Sequence, residues 1–144
     1  MLNHTKSLIQ IENPKTLYDP TQYAYSHMTR IRLKDVEEII HIAGQGGEHL
    51  SGHMPFSFEQ QCDGVFYNIQ QALNIAQLDW ANIAKMTILV VEHDRQKHLK
   101  LIACMRHYFQ QNRFPACTLI PVQSLALPNM LIEIDATAYR FTPH

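Results

Sequence analysis

Cysteine, histidine and paired carboxylates are the side chains through which this chain could do chemistry. Any of Cys62, Cys104 and Cys117 could supply a nucleophilic sulfur, but that needs a thiolate, and hence a neighbouring cation or a helix N-terminus. Cys62 and Cys104 fall within helical patterns and read as small packing residues. Cys117 opens a strand directly after Phe114-Pro115-Ala116. Nine histidines raise metal binding. His49 and His53 are four apart, but Ser51 and Gly52 make their segment a loop rather than a ligand-bearing helix face. There is no HExxH, and His93 and His98 lack a clear third ligand. The expectation is no metal. Glu133 and Asp135 are two apart on a strand and share a face, which allows either a carboxylate pair or the pinning of one of them in an inter-subunit hydrogen bond. Gly44-Gln45-Gly46-Gly47 follows a strand but has neither the Lys-Ser/Thr of a P-loop nor the third glycine of GxGxxG. Its remaining use is exposed backbone N–H groups.

The composition narrows the partners. The chain of 144 residues fits one domain, read as spanning 1–144 with an irregular arm over 1–24. Hydrophobic residues make up 46% and argue against disorder. Twelve Lys+Arg against thirteen Asp+Glu leave a formal charge of −1. No basic excess favours nucleic acid, and no polybasic run would hold an anionic membrane. Charged residues are only 17%, against a usual ~25%, which suggests that part of the surface is subunit interface. An odd number of cysteines without CxxC spacing argues against a disulfide framework and for a reducing, cytoplasmic setting. No leader-like apolar region and no membrane-spanning run is expected.

The elements that must position these residues follow from periodicity. Asn13-Pro14 and Asp19-Pro20 make the N-terminal arm irregular, with at most one short edge strand. Residues 25–33 read as a strand, Lys34-Asp35 as a turn and 38–43 as a second strand, together a hairpin. Ser57-Phe58-Glu59-Gln60 is a capping box, and Phe58, Cys62, Val65, Phe66, Ile69, Leu73 and Ala76 define one helical face behind it. Residues 83–91 read as a central strand, apolar on both faces. Asp94 caps a second helix running to about Gln110, and strands follow over 117–122 and 131–139. The order β-β-α-β-α-β-β is α+β, with both helices on one face of a single sheet. The other face wants cover, which association would supply.

Seven segments in this order resemble one family: Tyr25-Ser26, Ile42-Ala43-Gly44-Gln45, Asn68-Ile69, Lys85-Met86-Thr87, Tyr108-Phe109, Phe114-Pro115-Ala116 and Ile132-Glu133-Ile134-Asp135-Ala136-Thr137-Ala138. Over roughly residues 20–140 the chain resembles the YjgF-like reactive-intermediate deaminase (Rid) superfamily. The resemblance implies a chorismate-mutase-like fold, a homotrimer with a central barrel, and three ligand clefts between subunits. It also implies hydrolysis of enamines and imines to 2-oxo acids and ammonia without metal or organic cofactor. Endoribonuclease activity is named for a minority of members.

Carried over by position, the resemblance makes Glu133 the catalytic carboxylate that holds the attacking water. Tyr25, Ala43, Gly44 and Cys117 become substrate-binding positions. In active deaminases an arginine that forks onto the substrate carboxylate occupies the position of Cys117, and a serine that of Ala43. An asparagine of the second helix falls at Ile102. Without the arginine, a bidentate charge-assisted pair is lost, so 2-imino acid deamination is not expected; a ligand lacking a carboxylate is compatible. Arg113, Arg30, Arg32 and Arg140 are the arginines to examine as replacements. A nucleophilic role for Cys117 is disfavoured, because a nearby carboxylate such as Glu133 raises a thiol's pKa. The alternative to an enzyme is a silent binding or regulatory module on the same scaffold, with nuclease action third.

Overall fold

The computed structural model describes residues 7–143; the first six residues of the arm, also part of the segment read for a leader, lie outside them. Its strands are β1 (Gln10–Glu12), β2 (Met28–Arg30), β3 (Val36–Gln45), β4 (Ile83–Val91), β5 (Ala116–Val122) and β6 (Ile132–Phe141), and its helices α1 (Phe58–Ala76) and α2 (Arg95–Tyr108). β3, β6, β4 and β5 form one sheet in that order, and β1 pairs with β2 in a separate two-stranded sheet. Only β4 and β5 run parallel within the larger sheet, joined by the α2 crossover.

The helices form where capping and periodicity demand. Ser57 accepts from the Gln60 backbone N at 3.1 Å, and Asp94 from that of Lys97 at 2.8 Å. Only this first half of the expected capping box at Ser57 is made. The apolar stripe of α1 is fully enclosed from Cys62 through Leu73, and Leu101, Ile102, Cys104 and Met105 carry α2 onto the same core. On the sheet side that core takes Ile132, Ile134, Ala136 and Ala138 of β6 with Met86, Ile88 and Val90 of β4. Both helices therefore cover one face, as the alternation in β6 requires.

The hairpin of residues 25–33 with 38–43 does not form. β3 pairs instead with β6, from Val36 opposite Phe141 to Gln45 opposite Ile134. The segment before it shortens to three residues and pairs with β1, where an Arg30–Glu12 ion pair crosses the ladder diagonally. Residues 25–33 alternate without an apolar stripe, whereas β6 offers β3 a ladder of ten residues. The arm is correspondingly less irregular than its prolines suggest. Ile9 packs with Phe141 and Ala84, flanked by Leu8, Ile11, Ile31 and Val36, and closes one end of the sheet face that the helices leave open. The remainder of that face stays uncovered, with Ile39 at 47% and Ile120 at 43% exposure. The strand read as apolar on both faces has its second face, Thr87, Leu89 and Val91, only half-buried. Within one chain the sheet is open-edged; no barrel closes among the described residues.

The loop after β3 is held against α1 at backbone distance. A β-carbon on Gly64 of α1 would lie 2.6 Å from the Gly47 carbonyl oxygen and 2.9 Å from its Cα. Gly46 and Gly47 are buried, so they serve close packing rather than the ligand-facing N–H groups expected of this run. Gln61 fastens both neighbouring loops: its amide nitrogen donates to the Pro55 and Asn129 carbonyls at 2.8 Å, and its oxygen accepts from Leu131 N at 2.7 Å. Gly64→Ala sets a helix-propensity gain of about 1 kcal/mol against an overpacking cost of about 1–3 kcal/mol. The opposing atoms are backbone and cannot rotate away, so the cost wins. The variant should lose about 1–2 kcal/mol, measured as a lower denaturant midpoint at unchanged m-value.

Candidate functional site

Tyr25 and Cys117 meet in one cavity. The chain enters through Asp19, which accepts from the Thr21 backbone N at 2.9 Å and hydroxyl at 2.7 Å, so that Thr21 pulls its carboxyl below the ordinary value. A single 3-10 turn over Pro20–Tyr23 follows, and Ala24, buried and left-handed at φ 59°, reverses the chain. Ser26 then donates its N–H to the Pro115 carbonyl at 3.0 Å and bridges Ala116. That bridge sets Tyr25 beside Cys117. The cavity, about 410 Å³, is closed from the helix side by Leu101 and Met105 and rimmed by Tyr18, Tyr23 and His98.

None of the lining side chains is Lys, Arg, Asp or Glu. Tyr18 and Tyr25 hydrogen-bond through their hydroxyls, and Tyr18 stands edge-on to both Tyr23 and Tyr25, at interplanar angles of 79° and 65°. Burial, helped by that hydroxyl bond, pushes Tyr25 up to about 12. Cys117 donates weakly to the Pro115 carbonyl at 3.5 Å, and burial pushes its thiol up to about 12 against a small opposing pull from Lys85. His98 stacks on Tyr23 and is held below the usual histidine value by burial first and by His93 second. The cavity is thus apolar and uncharged at neutral pH.

Glu133, Gly44 and Ala43 lie elsewhere. In the ladder Cys117 is level with Met86, which points to the helices; Glu133 is level with Leu89, three residues on, and points to the open face. At Ala43 and Gly44 the register of β3 slips against β6, between Ile42 and Gln45. Glu133 fills the space this leaves. A β-carbon on Gly44 would overlap its Oε1 and lie 2.7 Å from its Cδ. Among the described residues nothing donates a hydrogen bond to the Glu133 carboxylate. Asp135, its expected pair-mate, is occupied by the Thr87 backbone N at 3.0 Å. Asn68 pins the loop that follows Gly44 by donating to the Gly46 and Glu48 carbonyls at 2.9 and 3.0 Å.

One chain therefore brings together Tyr25 with Cys117, and separately Ala43 and Gly44 with Glu133, but not the two groups with each other. No arginine joins the cavity. Arg30 pairs with Glu12, and Arg140 with Glu38 and the Ala76 carbonyl. Arg113 donates to the Ile9 carbonyl at 3.0 Å, and Arg32 is exposed near the start of β3. Ile102 is buried in the core. No group of three His, Cys, Asp or Glu is placed to hold a metal among the described residues. Sequence reasoning missed Tyr18, Tyr23 and His98; the alternation Tyr23-Ala24-Tyr25 after an Asp-Pro turn was the available signal.

A two-helix α+β unit with this strand order and a cavity beside the Pro-Ala-Cys segment defines a chain of the Rid type. The chain belongs to the endoribonuclease L-PSP family, whose model matches residues 19–140. Its fold is similar to that of YyfB from Yersinia pestis, described as a protein of unknown function of the conserved Rid family. The two are 28% identical, with a TM-score of 0.84 over 91% of this chain and 98% of that one. It is also similar to Rv2704 of Mycobacterium tuberculosis, from the YjgF/YER057c/UK114 family (21% identity, TM-score 0.59, 91% and 98% covered). A third similar structure is APE1501 of Aeropyrum pernix, a putative endonuclease (19%, 0.63, 76% and 95%). No curated protein sequence matches the chain at significant similarity. No described helix is long and apolar enough to cross a membrane.

With its thiol held up near 12, Cys117 carries almost no thiolate below pH 10, and the reactive species is the thiolate. Iodoacetamide should label Cys117 in the folded protein only sluggishly at pH 7–8, and faster as pH rises. Peptide mapping after timed quenching checks this; rapid labelling at pH 7 would restore the nucleophile.

Proposed function

We propose that the protein binds a small metabolite lacking a carboxylate, and hydrolyses a C=N or enamine bond in it with a water held by Glu133. The reading is that copies associate, as a homotrimer, so that the Tyr25–Cys117 cavity of one faces the Ala43–Gly44–Glu133 surface of the next. The observation that carries it is that one chain holds both an uncharged, tyrosine-lined cavity and, apart from it, a carboxylate that accepts no hydrogen bond among the described residues. Alone, each half is incomplete. The uncovered apolar positions Ile39 and Ile120 and the sparse charge of the chain support association.

The electrostatics select the ligand. A cavity with no Lys or Arg offers a carboxylate no charge-assisted partner, and desolvating such an anion is costly. Tyrosine rings and a facing carboxylate instead suit a neutral or cationic amine, imine or iminium. The residues supply hydrolysis without metal or organic cofactor: Glu133 orients water and takes its proton, Gly44 keeps the carboxylate in place, and Tyr25 remains a neutral donor. The cytoplasm, where three free thiols stay reduced, is the setting this reading assigns.

A second reading, a ligand-binding or regulatory module without turnover, is favoured by the lack of any arginine at the cavity. Endoribonuclease action, named for the family and for one similar structure, is disfavoured by the absence of Lys and Arg from the cavity and the formal charge of −1.

The test is ammonia release from a panel of carboxylate-free imines and enamines beside 2-iminobutyrate. Turnover is expected with the first group and not with the second. Glu133→Gln should lower kcat by about 10²–10⁴-fold, the range for removing a general base, while the affinity for a neutral ligand changes little and that for a cationic one falls. Turnover of 2-iminobutyrate alone would reject the ligand assignment; binding without release by the wild type would select the second reading. Gly44→Ala should act through Glu133. A methyl there displaces only the end of a flexible side chain, so the denaturation midpoint should stay near that of wild type while kcat falls. A trimer by light scattering is expected, and a monomer at working concentration would reject the shared site.

A further inference from the structure

Cys62 and Cys104 sit 42 residues apart in sequence, yet the packing of α1 on α2 brings their Sγ atoms to 3.7 Å. Neither belongs to the Cys117 cavity. Their surroundings differ. Cys62 is completely enclosed in the core, whereas Cys104, 6% exposed, forms part of the wall of a separate cavity of about 280 Å³ beside Asp63, Lys100, His107 and Tyr108. Lys100 Nζ is 2.7 Å from Asp63 Oδ1, and the Cys104 thiol donates to that same oxygen at 3.8 Å. Of the two sulfurs, Cys104 is therefore the one that a cavity exposes, and an Asp63–Lys100 ion pair lines that cavity with it.

The two thiols are unequal in acidity as well. The contact with Cys62 draws Cys104 below the ordinary thiol value, against burial, with help from the Lys100 charge and opposition from the Asp63 carboxylate. Cys62, in the same contact and more deeply buried, is pushed up. One sulfur is prepared to ionise and the other to keep its proton, the asymmetry that a reacting and a resolving cysteine require.

We propose that Cys62 and Cys104 form a hydroperoxide-reactive dithiol, with Cys104 attacking from the small cavity and Cys62 resolving it to a disulfide that ties α1 to α2. In the first step the Cys104 sulfur attacks the terminal peroxide oxygen. The O–O bond breaks, the other oxygen leaves as water or an alcohol once protonated, and Cys104 becomes a sulfenic acid. In the second step the Cys62 sulfur attacks the Cys104 sulfur. The Cys62 proton and the sulfenic hydroxyl leave as water, and the S–S bond forms. Overall two thiols lose two electrons and two protons, and one peroxide is reduced. The sulfurs must close from 3.7 Å to about 2.05 Å, the scale of a side-chain rotation with a small helix shift.

The test uses the full chain, reduced, freed of reductant, treated with a few equivalents of hydrogen peroxide and alkylated after denaturation. Expected are a mass lower by two hydrogens, a cross-linked pair of peptides containing Cys62 and Cys104, a fully alkylated Cys117, and reversal by dithiothreitol. Cys104 should be oxidised at least about tenfold faster than Cys117, following thiolate fraction and access. In Cys62→Ser, dimedone should trap a sulfenic acid at Cys104; in Cys104→Ser, Cys62 should stay reduced. Three intact thiols at a dose that oxidises free glutathione would overturn the proposal. So would cross-links through Cys117 or between chains, or a sulfenic acid at Cys62 in the Cys104→Ser protein. The wild-type peptide map decides by itself if either variant fails to fold.

Discussion

The backbone contact between Gly47 and Gly64 constrains most of what surrounds it. No side chain separates the loop after β3 from α1 at this point, so the helix axis and the end of the strand are locked at a distance that ordinary packing through side chains would not permit. Gln61, one turn earlier, extends the lock to the loop preceding β6 through two amide hydrogen bonds and to the loop before α1 through a third. Asn68, one turn later, extends it to the Gly46–Glu48 segment. A buried amide with all three bonds made stabilises the fold modestly, but one left unmade costs about 1–3 kcal/mol. The loops bracketing the Gly44–Glu133 contact are therefore held on both sides by one helix. Gly44 stays free of this lock, and its missing β-carbon serves only the Glu133 carboxylate.

Elements with a strong internal pattern were legible in the sequence, and those defined by partners were not. The α1 stripe, the strand over 83–91 and the alternating β6 each carry their own periodicity, and the structure has them within two residues of the expected bounds. Residues 25–33 show alternation without a hydrophobic stripe, so their pairing was set by which strand offered the longer ladder. That strand was β6, and it took β3 instead. The role of Gly46 and Gly47 was hidden for a similar reason. A glycine required by close approach looks the same in sequence as one required by a turn or a ligand.

The candidate site was legible as a set of residues but not as an arrangement. Family position pointed to Tyr25, Ala43, Gly44, Cys117 and Glu133 as candidates, while strand parity decides which of them meet within one chain. The register through β5, β4 and β6 puts Cys117 on the helix side and Glu133 on the open side, and period-two alternation admits no intermediate. The aromatic rim escaped detection because it comes from an arm with no periodicity, organised by the Asp19 turn and the left-handed Ala24.

Burial gives the cavity its electrostatic character in place of charge. Desolvation disfavours whichever form of a group is charged, so it raises the phenol and the thiol and lowers the imidazole. Tyr25 and Cys117 are both pushed up to about 12, and His98 is pushed down. The three shifts run in opposite directions on the pH scale and widen the same neutral window. For His98 the sign follows from its depressed value: the unfolded chain binds the proton more readily, so its unfavourable contribution grows as pH falls below about 6.5. An arginine at the position of Cys117 would bring a permanent cation to this same apolar wall, where thiol burial now favours neutrality. On the reading proposed above, a small, desolvated thiol at this position would change the class of ligand admitted, beside the apolar side chains of Leu101, Met105 and Ile88.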